Sequence, residues 1–200
     1  MVFSTELAEK IEVSNGNKYL EAGIHDDVKL VSARAATSIN GNKFLEIKFE
    51  KEGKELIHTE WEPTPNPTVS TEENQKKATN QVSRIMQILK CFYPKEALTF
   101  SGESYSEFIN WVVNLLNAAD KSKLVRLKVV YNSKGYTTLP NYAKFIFIEP
   151  MNLPEGQNSK ISILGIDVIV KPNIIADKET VETNPLESTN TTSSANDLPF

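Results

Sequence analysis

The run Phe44-Leu45-Glu46-Ile47-Lys48-Phe49 narrows the folds open to this chain more than any other stretch. Its side chains alternate with period two: Leu45, Ile47 and Phe49 face one way, Phe44, Glu46 and Lys48 the other, as in a half-buried strand. Asn40-Gly41 precedes it, and Val28 to Ala36 forms a long strand pattern before that, so a hairpin is expected. Glu52-Gly53-Lys54 makes another turn, and Leu56-Ile57-His58-Thr59-Glu60-Trp61 is a third strand in a meander. Pro63, Pro65 and Pro67 end it, because proline cannot donate to a ladder. Residues 1 to 18 are mixed in character and are expected to be loosely held, up to Tyr19-Leu20-Glu21-Ala22-Gly23.

Two helices with readable starts come next. Ser70-Thr71-Glu72-Glu73 has capping-box spacing, followed by an apolar stripe through Ala78, Val82, Ile85, Leu89 and Phe92 until Pro94. Ser104 and Glu107 repeat the box ahead of Phe108, Trp111, Val112, Leu115, Leu116 and Ala119. Both stripes are core faces, Trp111 included. Strands then return at Leu124 to Tyr131, a turn follows at Asn132-Ser133-Lys134-Gly135, and Phe145-Ile146-Phe147-Ile148 forms a strand before Pro150. Ile161 to Val170 is a candidate for one more. Three strands, a helical segment and two or three strands predict an α+β, mainly β fold: an OB-fold-like Greek-key barrel with a two-helix insertion between strands 3 and 4.

Composition divides the chain at Pro172. Residues 173–200 carry five acids (Asp177, Glu179, Glu182, Glu187, Asp197) against Lys178, a net charge of −4 that equals the formal charge of the whole chain. They hold no aromatic residue before Phe200, so they bury too little apolar surface to offset their ordering entropy. The expected organisation is an OB-fold-like nucleic-acid-binding domain over residues 1–172, with its insertion at about 70–120, and a disordered acidic tail over 173–200 that ends in a docking tip. The lone Cys91 allows no intramolecular disulfide and no CxxC metal site, and core packing is its expected role. No apolar run approaches the ~20 residues of a membrane span, and the N-terminus lacks a leader pattern, so a cytoplasmic protein without membrane contact is expected.

Lys121 to Ile148 contains Lys121, Lys123, Arg126, Lys128, Lys134 and Lys144 with no acidic residue, interleaved with Tyr131, Tyr136, Tyr142, Phe145 and Phe147. Cations for phosphates and flat rings for unstacked bases are what single-stranded nucleic acid requires. Alternation puts Val125, Leu127, Val129 and Tyr131 in the core and points Arg126 and Lys128 outward. The candidate nucleic-acid-binding residues are therefore Arg126, Lys128, Lys134, Tyr136, Tyr142, Lys144, Phe145 and Phe147, with Lys43, Phe44 and Trp61 extending the surface.

Asp197-Leu198-Pro199-Phe200, after an acidic linker, resembles the end of bacterial single-stranded DNA-binding proteins, where several Asp residues precede Ile or Leu, Pro and a terminal Phe. Here Ala195-Asn196 stands where that family has further acids. With the strand order and the basic-aromatic segment, the chain resembles phage-type single-stranded DNA-binding proteins. That resemblance implies coating of exposed strands in replication, recombination and repair, recruitment of partner proteins through Asp197, Leu198, Pro199 and Phe200, no cofactor and no catalytic residue. For a phage protein the compartment is the host cytoplasm, and the sequence leaves a homo-oligomer open. Two other classes compete: a virion or scaffold interaction protein, and a metal-dependent nuclease built on His25-Asp26-Asp27 and His58-Thr59-Glu60, which match no ligand spacing.

Overall fold

Leu45, Ile47 and Phe49 are fully buried while Glu46 and Lys48 keep contact with solvent, so period-two alternation decides which face of the hairpin becomes core. The computed structural model describes residues 18–173; the expectations for the N-terminal residues, the acidic tail and its tip lie outside that span. Strands β1 (Gly23–Thr37), β2 (Lys43–Lys51) and β3 (Lys54–Trp61) form the expected antiparallel meander. Glu52 and Gly53 both take positive φ, 51° and 79°, as a two-residue type I′ hairpin turn requires.

Strand β1 starts five residues before the Val28 of the sequence pattern and is shared between two partners. Gly23 to Val28 pairs with β4 (Val125–Tyr131), and Lys29 to Thr37 pairs with β2. The register shifts between His25 and Val28, where Asp27 has φ 56°, and this polar stretch concealed the early start. Beyond β4, the free edge of β1 is satisfied by a side chain. The Asn117 amide accepts the Ala33 N–H and donates to its carbonyl, both at 2.9 Å, standing in for a strand.

Among the described residues the antiparallel sheet has six strands in the order β3-β2-β1-β4-β5, with β6 (Ile148–Pro150) also on β4 and β5 only Thr137–Thr138. No ladder joins β3 to β5, so the sheet is not closed into the expected barrel. The two strands meet through a side-chain hydrogen bond, His58 Nδ1 to Thr138 Oγ1 at 3.0 Å.

Both helices lie between β3 and β4. Helix α1 (Thr71–Leu89) is capped by Ser70 Oγ, which accepts the Glu73 N–H at 3.1 Å; α2 (Tyr105–Ala118) has the full reciprocal box of Ser104 and Glu107. α2 covers β1 and β2 with Phe108, Ile109, Val112 and Leu116. α1 packs on α2 and β6 through Ile85, Ile88 and Leu89, while Val82, expected in that stripe, is exposed and Gln81 is buried instead. Trp111 packs 5.2 Å from Phe100 and 6.0 Å from Phe108, in keeping with a core role. Among the described residues no helix is long and apolar enough to cross a membrane.

The C-terminal part departs from expectation. Of the expected strand Phe145 to Ile148 only Ile148 lies in a strand paired with β4, Ile148–Pro150, and Ile161 to Val170 forms no strand. The segment from Phe147 to Asp167 folds over the second face of β4: the Lys128 N–H donates to Phe147 O at 2.8 Å and its ammonium to Ser162 O at 2.6 Å. Both faces of β4 are therefore covered, and Lys128 does not point into solvent.

Candidate nucleic-acid interface

The unpaired line between β3 and β5 is the floor of a groove. Three hollows of about 650, 570 and 710 Å³ follow one another along it. The first and second share Ile57, Tyr136 and Thr137; the second and third share Trp61, Gln81, Arg84 and Asn141. The hollows form a trench from Tyr19 and Tyr131, past Tyr136 and Trp61, to the exposed face of α1 at Lys77 and Asn80. A fourth hollow shares Gly135, Tyr136 and Lys171 with the first and adds Lys134.

Local chemistry fixes both ring-bearing rims. Asn132 Oδ1 accepts the N–H groups of Lys134 and Tyr136 at 2.9 and 3.0 Å, and the Asn132 N–H donates to Tyr136 O at 2.9 Å. Gly135 takes φ 72° inside this turn, a conformation a side chain would strain. The pinned turn holds Tyr136 out at 69% exposure. Trp61, 49% exposed, ends β3 opposite Phe44, with ring centroids 4.7 Å apart, and its carbonyl accepts from Gln81 Nε2 at 2.7 Å. The proline-rich segment beyond Trp61 is tied to α1 by Asn74, which exchanges hydrogen bonds with the Asn66 backbone at 2.9 and 3.0 Å.

The floor is a buried polar network built on His58 and Glu60. Both are 5% exposed. Arg84 grips Glu60 with two donors at 2.9 and 2.8 Å, Gln81 Nε2 donates at 3.0 Å, and His58 Nε2 lies 3.2 Å away. Burial alone would raise the Glu60 pKa; the hydrogen bonds from His58 and Arg84 hold it at about 2, so the carboxylate stays ionised. Among the described residues no three His, Cys, Asp or Glu side chains gather as metal ligands. Of the imagined nuclease residues, His25 bonds Glu21 O at 2.8 Å and Asp26 is bound by Arg126.

The sequence-derived candidates separate. Lys134, Tyr136 and Trp61 line the trench, with Phe44 packed behind Trp61. Lys43 is half-buried at the start of β2 and lines none of these hollows. Lys144 stands elsewhere, in a hollow of about 400 Å³ with Lys90 and Lys160, and Phe145 is exposed nearby, edge-on to Tyr142 at 5.5 Å. The other four are occupied within the fold. Arg126 bonds Asp26 and Glu149 at 3.2 and 3.3 Å; Lys128 and Phe147 are buried; Tyr142 donates to Asp167 Oδ1 at 3.1 Å. No family model matches this chain, and no curated protein matches it. Trench residues the sequence did not flag include Tyr19, Lys77, Asn80, Arg84, Asn141 and Lys171, which come from four separate stretches of chain. For Lys77, Asn80 and Arg84 the signal was a polar side chain off the apolar stripe of α1; Tyr19, Asn141 and Lys171 carried none.

Proposed function

We propose that the protein binds single-stranded DNA without catalysis, coating exposed strands in phage DNA replication, recombination and repair. The observation that carries this reading is the trench along β3: the exposed rings of Trp61 and Tyr136, with that of Tyr19 at one end, and exposed Lys77, Lys134 and Lys171 beside one groove open along its length. Stacking surfaces with cations beside them suit a flexible, unpaired strand; a duplex offers no unstacked base for the rings.

The strand arrangement supports an OB-like reading. A long bent first strand paired with both β2 and β4, helices between β3 and β4, and β3 facing β5 are the connections of a five-stranded Greek-key barrel, here left open at β3 and β5. Fold analogy adds weight, but the reading rests on the groove. Recruitment of replication or recombination proteins by Asp197, Leu198, Pro199 and Phe200 remains the proposal that the sequence of this acidic segment supports.

Titration of the full chain with oligo(dT), oligo(U) and duplex DNA over a range of salt tests it. Single strands bind without metal, and log K falls against log salt by about 0.7 for each phosphate neutralised. Equal affinity for duplex and single strand overturns the reading.

A further inference from the structure

A strand in this trench can lie with its phosphates on the floor or with its bases there, and the charges decide between the two. The floor holds the Arg84 guanidinium, whose side chain is 11% exposed and whose Nε and Nη2 donate to the two oxygens of Glu60. Gln81 and His58 also turn toward that carboxylate. A phosphate reaching the floor would bring a second anion against Glu60 where solvent screens least. Lys77, Lys134 and Lys171 form no ion pair among the described residues and are exposed on the trench walls.

We propose that Glu60 is a charge filter: by occupying Arg84 it denies the floor to phosphates, keeps the backbone on the lysine rim and turns the bases inward between Trp61 and Tyr136. This rests on the single-strand reading and assigns Glu60 a specificity role without contact to phosphate. Uncharged bases meet neither repulsion nor an unsatisfied ion, and Asn141 and Thr137 along the walls offer polar groups to their edges.

The test compares oligo(dT) with an abasic tetrahydrofuran oligomer of equal length and phosphate number, using the full chain. The wild type binds the abasic oligomer about tenfold or more weaker, because stacking is lost, with the same salt slope. Glu60→Gln frees Arg84: the slope steepens by about 0.7, one further phosphate, and the preference for bases narrows. The double variant Glu60→Gln/Arg84→Met removes both charges together and returns slope and preference to wild-type values, which keeps the test open where the single variant folds poorly. Equal wild-type affinity for the two oligomers overturns the filter, as does a folded Glu60→Gln protein with unchanged slope and preference, or a double variant that binds the abasic oligomer as tightly as oligo(dT). Loss of all binding in the wild type would instead remove the single-strand reading itself, and the filter with it.

Discussion

Lys128 Nζ lies 2.6 Å from Asp167 Oδ2, and neither side chain reaches solvent, at 0% and 1% exposure. The ammonium also donates to Ser162 O at 2.6 Å and sits 5.2 Å from the centre of the Tyr142 ring. Asp167 accepts the Leu164 N–H at 2.7 Å as well, so this pair fastens the segment after β6 across β4. Burial opposes ionisation of Asp167, but the Lys128 hydrogen bond and the Leu164 N–H outweigh it and hold the pKa below the usual range.

Removing one partner of such a pair strands a buried charge. Lys128→Met is expected to cost ~3–5 kcal/mol of stability in urea denaturation, and Lys128→Met/Asp167→Asn distinctly less. The salt slope of oligo(dT) binding stays unchanged in the folded fraction, because this lysine takes no phosphate. A slope reduced by about 0.7 with stability intact would return Lys128 to the interface.

Glu60 makes stability depend on acid. Its folded pKa of about 2 lies below the ordinary 4.5, so its contribution is fully present above pH 4.5 and is lost as pH falls toward 2, where the unfolded chain binds the proton first. Asp167 acts in the same direction. Thermal melts across this window should fall steeply for the wild type and less steeply for Glu60→Gln. Parallel curves would mean that another carboxylate dominates.

The meander, both helix caps and the core face of β2 were legible because each is set by local spacing and by turn chemistry. The basic run was read less well. Charge along a sequence does not register an acid distant in it, and Arg126 finds Asp26 and Glu149 while Lys128 finds Asp167, so two of its cations are already bound in ion pairs. Lys121 and Lys123 are likewise spent on the carbonyls of Leu116 and Phe92. Alternation along β4 placed Val125, Leu127 and Val129 in the core correctly, but Tyr131 is half-buried and borders the trench, and the chain after Phe147 returns to cover the other face. The trench itself was illegible, since it arises where β3 and β5 fail to pair and no stretch of sequence marks a missing ladder.

Cys91 is 8% exposed, with its thiol donating to Gln87 O at 3.4 Å. Burial, then the nearby Glu149 carboxylate, push its pKa up to about 12, so almost no thiolate exists at neutral pH. A thiol reagent should modify the native protein no faster than the chain unfolds and the denatured protein at once. Rapid native labelling would place Cys91 outside the core.

The two tryptophans give the interface its most direct test, because only one of them borders the trench. Trp61 is half exposed at the rim, while Trp111 is packed among Phe100 and Phe108. Stacking of bases on Trp61 should quench its emission; Trp111 is out of reach. Oligo(dT) is therefore expected to quench the wild type and Trp111→Phe, and to leave Trp61→Phe almost unchanged. Trp61→Ala and Tyr136→Ala should each weaken binding by ~1–3 kcal/mol with the fold retained. Asn132→Ala, which frees the turn that holds Tyr136, should weaken binding in the same direction without removing any ring. Tyr142→Ala should behave differently, lowering stability through loss of its bond to Asp167, since Tyr142 belongs to the strap over β4 rather than to the trench. If Tyr142→Ala loses oligo(dT) affinity at full stability while Trp61→Ala and Tyr136→Ala bind normally, the strand runs along the Lys144 side of the molecule and the trench is not its path.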